Sequence, residues 1–298
     1  MRASLNIESK TLSESELVLN DDGSVYHLHL KPEHIADTVL LVGDQGRVER
    51  VSKHFENIEF SIQNREFCTQ TGMYNGKRIT VMSTGIGTDN IDIAINELDA
   101  AVNINLETRA FLPNPKSLNL IRIGTCGALQ KDVAVDSFAI SSFGLGFDGL
   151  LDFYKHELTN QEQKVKSDFE AFYKANGHEI SVYVSEGNPE LIDLLGEGMN
   201  KGITATANGF YGPQGRVLRL HAQIPNQNEL LNNFRSKENR IINFEMETSG
   251  LYGIGGLLGH NCATVCAVIA NRFTQSYSED YKKTVERLIV TVLDRLTV

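Results

Sequence analysis

Short apolar runs closed by glycine alternate along the chain with stretches whose apolar residues recur every three or four positions. "DTVLLVG" ends at Gly43, "RITVMSTGIG" at Gly85 and Gly87, and "LNLIRIGTCG" at Gly124 and Gly127. "SFAISS", "ISVYVSE", "GITATA" and "CATVCAVIA" extend this to a set of about seven strands. "GRVERVSKHF" follows the first run, and "NIDIAINELDAAVN" follows the second with Ile91, Ile95 and Leu98 at helical spacing. "EMETSGLYGIGGLLG" precedes the last strand, and "YKKTVERLIVTVLDRL" closes the chain. Apolar strands alternating with amphipathic helices predict an α/β fold whose sheet is covered on both faces.

The first 24 residues break this pattern. They are polar, rich in Ser and acids, and end in "NDDGS", which predicts an N-terminal arm over 1–24, flexible in part, ahead of a single domain over 25–298. "ETRAFLPNPKSLN" reads as a surface loop before a strand. No Pro-, Gly- or Ser-rich linker and no internal repeat divides the rest. The 298 residues carry a formal net charge of -10, so no broad basic surface for nucleic acid is expected. A small anion needs only a few local cations and stays open. No secretory apolar region heads the chain, and no run reaches transmembrane length. Cys68, Cys126, Cys262 and Cys266 form no CxxC pair and no His/Cys ligand cluster, so they read as small core side chains in a reducing cytoplasm.

Three strands end in glycine turns, and in open α/β sheets the ligand crevice lies at the carboxyl ends of the strands. Neither a dinucleotide fingerprint nor a P-loop is present. In "VGDQGR", Arg47 stands near a helix start behind Gly43, as either a surface side chain of a βα turn or a phosphate ligand. In "IRIGTCGAL", Arg122 sits inside an apolar strand, facing away from Ile121 and Ile123, which demands an ion pair or a bound anion; Thr125 adds a hydroxyl. "NFEMETSGLYG" flanks Met246 with Glu245 and Glu247, either as acids at a helix N-terminus or as acceptors for a vicinal diol. "GFYGPQGRVLRL" sets Gln214 two residues before Arg216, either in a solvated turn or as readers of a flat polar ring. "VYHLHLK" holds His27 and His29 on one face, but no third metal ligand accompanies them.

In order and spacing, "YHLHL", "VGDQGR", "NREF", "STGIG", "RIGTCGAL", "NFEMETSGLY", "FYGPQGR" and "VIANR" resemble the nucleoside phosphorylase family that contains uridine phosphorylase and hexameric purine nucleoside phosphorylase. The likeness is nearest to the uridine branch and runs from "VYHLHL" to the C-terminus. It implies a three-layer α/β/α sandwich around a central mixed sheet. It implies phosphate held by Gly43, Arg47, Arg122 and Thr125, with Arg65 of "NREF" contributed by a neighbouring subunit. Ribose would be held by Met246 and Glu247, with His27 reaching the 5′-hydroxyl across the subunit boundary. Phe210, Gln214, Arg216, Glu245, Ile269, Ala270 and Arg272 would line or brace the base pocket. A homo-oligomer with sites shared across a dimer interface follows from the same likeness.

The implied reaction is reversible phosphorolysis of uridine, with phosphate attacking C1′ of an oxocarbenium-like sugar while the base departs. Arg122, Glu247, Gln214 and Arg216 would carry it by orientation and fixed electrostatics. Purine members carry an Asp after the last strand that protonates the base; here Asn271 stands there and cannot act as an acid. Inorganic phosphate is a co-substrate, and no cofactor is expected. Some relatives hold a monovalent cation through a Glu, an Ile carbonyl and a Ser; Glu66 and Ile86 match, Asn90 replaces the Ser, and no metal is predicted. Purine nucleoside phosphorolysis, nucleoside hydrolysis on the same fold and non-catalytic nucleoside binding are the alternatives.

Overall fold

The computed structural model describes residues 11–297. The chain runs through β1 (Thr38–Val42), α1 (Gln45–Ser52), β2 (Asn57–Asn64), β3 (Phe67–Tyr74), β4 (Lys77–Ser83), α2 (Thr88–Asn103), β5 (Ile104–Asn105) and β6 (Ala110–Phe111). It continues through β7 (Asn119–Ala128), β8 (Phe138–Gly146), α3 (Asn160–Ala175), β9 (Tyr183–Glu186), α4 (Pro189–Leu195), β10 (Asn200–Thr206) and α5 (Gln227–Asn233). It finishes with β11 (Arg235–Ser236), β12 (Asn239–Glu245), α6 (Thr248–Leu257), β13 (Asn261–Asn271), β14 (Ser276–Tyr277) and α7 (Tyr281–Leu296).

Helix periodicity decides the layers. In α2, Ile91, Ala94, Ile95 and Leu98 share one buried face, and with Leu251, Tyr252 and Ile254 of α6 they pack on Val39, Leu41 and Leu120 of the sheet. Residues one step along the same strands point the other way. Leu40, Val42, Ile121 and Ile123 meet Val48 and Val51 of α1, Leu191, Ile192 and Leu195 of α4, and a stripe on α7 that includes Val285, Leu288, Ile289 and Val292. Each such aliphatic side chain contributes about 1.5–3 kcal/mol by leaving water. Three layers result.

The sheet has 12 strands, ordered β11-β12-β10-β8-β13-β7-β1-β4-β3-β2, with β9 beside β8 and β14 beside β13. It is mixed: β1 runs parallel to β4 and β7, and β13 parallel to β7, whereas β8 and β13 are antiparallel. Beyond a plain sandwich, the sheet curls until β12 pairs back on β7, antiparallel, through Asn243–Ala128 and Phe244–Gly127. That pairing closes β7, β12, β10, β8 and β13 into a ring. Cys126, Ala128, Ala139, Ile242, Cys266 and Val268 from these strands form a separate small core with Val133.

From residue 11 onward the segment expected as an arm makes contacts with the domain. Thr11 bridges Ala110, Leu19 bridges Val25, and Leu17 is buried in the core cluster under α2. The short run Leu17–Val18–Leu19 among polar residues gives little periodic signal, yet Leu17 anchors the segment, with Leu12 and Leu19 packed against the same cluster; the first ten residues lie outside the described part. All four cysteines are free, and three are buried. Among the described residues no helix is long and apolar enough to cross a membrane.

Candidate active site

A cavity of about 310 Å³ opens where several strands of the ring and of its extension come to an end. Gly43 and Asp44 follow β1, and Arg47 lies in the first turn of α1. Arg122 and Thr125–Gly127 come from β7, Phe244 and Glu245 from the end of β12, and Met246 and Glu247 from the turn into α6. Ile269 and Ala270 come from β13, Tyr277 from β14, and Phe210, Gln214 and Arg216 from the irregular segment after β10. Ile86, between the glycines after β4, completes the wall.

Arg122 is 5 % exposed, and its charge is held by two acids. Its Nη2 donates to Glu247 Oε2 and lies 3.6 Å from Glu245 Oε2. Burial works against its charge, but Glu247 and Glu245 prevail and raise its pKa above the ordinary arginine value. The guanidinium folds back along its own strand. A Cβ at Gly124 would lie 1.6 Å from Arg122 Nη1 and 3.0 Å from Cys266 Sγ, so any larger residue there displaces the guanidinium.

Glu247 is the N-cap of α6. Its Oε1 accepts from the Gly87 N–H at 2.8 Å, which ties it to the glycine turn after β4. Glu245 does different work. Its carboxylate accepts from Thr206 Oγ1 at 2.7 Å and from the N–H groups of Glu247 at 2.9 Å and Thr248 at 3.0 Å. It braces the first turn of α6 while contributing to the cavity wall.

Arg47 is held by its own turn. Asp44 caps α1 by accepting from the Arg47 N–H at 2.9 Å, and its carboxylate lies 3.1 Å from Arg47 Nη2. Arg47 Nη1 donates to the Ile123 carbonyl at 3.2 Å, and burial lowers its pKa. The Nε atoms of both Arg47 and Arg122 are buried with no hydrogen-bond acceptor among the described residues. Two guanidiniums, each with a donor that no described residue satisfies, thus stand in the wall of one cavity.

At the other end, Gln214 is 4 % exposed. Its Oε1 accepts from Arg216 Nη1 at 2.7 Å, and its carbonyl accepts from Arg272 Nη2 at 3.2 Å. The Gln214 amide nitrogen has no partner among the described residues, so it is available to donate. The Arg216 guanidinium stacks 3.6 Å from the Phe210 ring centre and also donates to the Phe210 carbonyl at 2.5 Å. Burial, then the nearby Arg272 charge, pulls the Arg216 pKa down to about 10.

Of the residues expected at the site, Gly43, Arg47, Arg122, Thr125, Phe210, Gln214, Arg216, Glu245, Met246, Glu247, Ile269 and Ala270 line this one cavity. Arg272 does not line it and instead braces Gln214. His27 and Arg65 lie outside it, grouped together around Tyr26: the His27 ring meets Tyr26 edge-on at 4.8 Å, and the Arg65 guanidinium lies 5.8 Å from the Tyr26 ring centre. Asn271 is buried with its amide fully used. Nδ2 donates to the Gln130 and Val133 carbonyls, each at 2.8 Å, and Oδ1 accepts from the Phe273 and Thr274 N–H groups. Sequence reasoning did not place Asp44, Phe244 or Tyr277 at the site, and it read Ile86 only against a cation position, Cys126 as core and Gly127 as a strand end. The N-cap signal of an Asp directly after a strand-ending Gly was legible; nothing local announces Tyr277, which arrives through the β13–β14 pairing. Among the described residues no group of three or more His, Cys, Asp or Glu side chains could hold a metal ion.

Comparison with known proteins gives a consistent answer. The family model for the phosphorylase superfamily matches residues 37–295. A uridine phosphorylase of Thermococcus kodakarensis is 31 % identical over 88 % of this chain and 83 % of its own length. A DeoD-type purine nucleoside phosphorylase of Bacillus cereus is 28 % identical over 90 % of this chain and 97 % of its own length. A solved Trypanosoma brucei nucleoside phosphorylase with uridine phosphorylase activity superposes with a TM-score of 0.86 at 27 % identity, covering 94 % of this chain and 99 % of that one. The match over residues 37–295, with the likeness of sequence and fold to these relatives, places the chain in the phosphorylase superfamily, as a pentosyltransferase of the nucleoside phosphorylase family.

Proposed function

We propose that this nucleoside phosphorylase acts on uridine, converting it reversibly with inorganic phosphate to uracil and ribose 1-phosphate. The observation that carries the substrate choice is the Gln214–Arg216 pair. Arg216 fixes the carbonyl end of the Gln214 amide and leaves its NH2 as a donor at the cavity wall. Uracil presents carbonyl acceptors in the plane of its ring. Gln214 donates to one of them, its oxygen retains a lone pair for the base N3–H, and the Arg216 guanidinium donates to O4 directly or through water. Phe210 packs against sugar and base.

The remaining roles follow from charge. Arg47 and Arg122, with the Gly43 turn and Thr125, hold phosphate below C1′; the orphaned Nε donors support this assignment. Each carboxylate oxygen of Glu247 keeps one contact, leaving lone pairs for the ribose 2′- and 3′-hydroxyls, while Met246 packs on the sugar. As the glycosidic bond lengthens, the sugar gains positive charge beside phosphate and Glu247, and the base gains negative charge beside Gln214 and Arg216. Fixed dipoles and charges that need no reorganisation lower the barrier. No covalent nucleophile is required.

Asn271 supports a pyrimidine over a purine, since its amide is spent on four backbone groups and supplies no acid for a purine nitrogen. We further propose a homo-oligomer in which His27 and Arg65 complete the site of a neighbouring copy, because neither lines the cavity of its own chain. A cytoplasmic location and pyrimidine salvage belong to the same reading, with four unpaired thiols in support. The test is uracil release from uridine followed by absorbance with and without phosphate, beside inosine and adenosine. Phosphate-dependent turnover of uridine is expected; equal rates without phosphate, or a preference for either purine nucleoside, refutes the assignment.

A further inference from the structure

His27 does not stand alone on its patch. Glu97, on α2, accepts from the His27 ring Nδ1 at 2.6 Å and from the backbone N–H groups of His27 and Leu28, each at 2.8 Å. Both side chains are partly buried, His27 at 29 % and Glu97 at 16 % exposure, so the contact is not a solvent-screened surface pair. Asn64 Nδ2 donates to the His27 carbonyl at 2.8 Å and closes the other side of the turn. An ionised carboxylate only accepts, so the proton between these two groups sits on Nδ1. The ring orientation is therefore locked, and Nε2 is the nitrogen left to meet a ligand.

We propose that Glu97 is a positioning residue for substrate recognition: it fixes the Nδ1–H form of His27 so that Nε2 addresses the ribose 5′-hydroxyl. This rests on the reading above that His27 reaches that hydroxyl in a neighbouring copy. Replacing Glu97 by Gln keeps an oxygen for the two backbone donors. Its NH2 cannot accept from Nδ1–H, so the ring loses its partner or moves its proton to Nε2. A hydroxyl can meet either ring form, so the loss comes through orientation: a ring no longer held by the carboxylate is free to turn, and its grip on the 5′-hydroxyl weakens while the cavity of the chain itself is untouched.

The experiment compares kcat/KM for uridine with that for 5′-deoxyuridine in the intact oligomer. His27→Ala is expected to lower the uridine/5′-deoxyuridine ratio, and Glu97→Gln to lower it by up to about tenfold, the upper size of one neutral hydrogen bond. A loss of stability alone scales both substrates together and leaves the ratio fixed, so a Glu97→Gln protein with an unchanged ratio overturns the inference. A His27→Ala protein with an unchanged ratio overturns the assignment of His27 itself. Should Glu97→Gln not fold, ring 15N shifts of His27 in the wild-type protein decide: a proton on Nδ1 supports the inference, and an Nδ1 without one overturns it.

Discussion

Replacing Arg122 by Met separates the ion pairing seen in the structure from the phosphate binding proposed for the same guanidinium. Arg122 neutralises Glu247, which is 3 % exposed, and lies beside Glu245 at 4 %. The methionine side chain fills much of the space but leaves Glu247 buried with only the Gly87 N–H as an identified partner. Breaking a buried pair by removing one member costs about 3–5 kcal/mol. At roughly 2 °C per kcal/mol for a chain of this size, the midpoint of thermal unfolding falls by about 6–10 °C. Adding Glu247→Gln removes the stranded charge, so the double variant recovers about half of that loss or more, although Glu247→Gln alone also destabilises. Phosphate gives the second readout. At a hundred times its Kd a ligand of the folded state stabilises by about 2.7 kcal/mol, and this gain should vanish in both the single and the double variant, which lack the guanidinium. Urea denaturation and differential scanning calorimetry, with and without phosphate, measure both. A loss below about 1 kcal/mol, strictly additive double-variant energetics, or an intact phosphate shift in Arg122→Met refutes the assignment.

Three further outcomes follow from particular contacts. Gly124→Ala places a methyl 1.6 Å from Arg122 Nη1, and a guanidinium displaced by about 1 Å costs on the order of 100-fold in phosphorolysis; wild-type activity would remove the claim that this glycine shapes the anion site. Leu17→Ala should destabilise by about 2 kcal/mol in urea, and a cost under about 0.5 kcal/mol would mean that the segment from Thr11 onward is not part of the core. The Ser278 and Thr284 hydroxyls hold the Asp136 carboxyl below its ordinary value. Its folded pKa is depressed, so its stabilisation is present above the unfolded value of about 3.9 and lost as pH falls through the folded one. Asp136→Asn should therefore differ from wild type in urea midpoint at neutral pH and converge with it in acid; a constant gap across that range contradicts the linkage.

Legibility in the sequence follows signal strength. Helix α2 announces itself through Ile91, Ile95 and Leu98, and α7 through its long apolar stripe. Strands β7 and β13 read as apolar runs because both their faces are covered. The hairpin β2–β3 escaped because β2 is exposed or half-exposed along its whole length and shows no core-facing run. Strand β12 escaped behind the eye-catching acids at its end, and α3 behind its polar surface, although Thr159 and Glu162 form a readable capping box. The return of β12 onto β7 is a pairing over a sequence separation that no local pattern encodes. At the site, residue types were legible and partnerships were not. Arg122 demanded a counter-charge on sequence grounds, but only the fold chooses Glu247, and only the fold turns Asn271 away from the cavity.

The β12–β7 pairing also divides the enzyme into a part that is rigidly built and a part that is free to vary. Arg122 and Thr125 on β7 and Glu245 at the end of β12 stand on two strands hydrogen-bonded to each other at Gly127 and Phe244, and Met246 and Glu247 follow directly in the turn into α6. Phe210, Gln214 and Arg216, proposed above to read the base, ride on a connecting stretch between β10 and α5 that lies outside every strand ladder. Insertions and exchanges there leave the chemical platform in register. One fixed machine for cleaving the glycosidic bond can thus be refitted for a different nucleobase by rewriting a single connection.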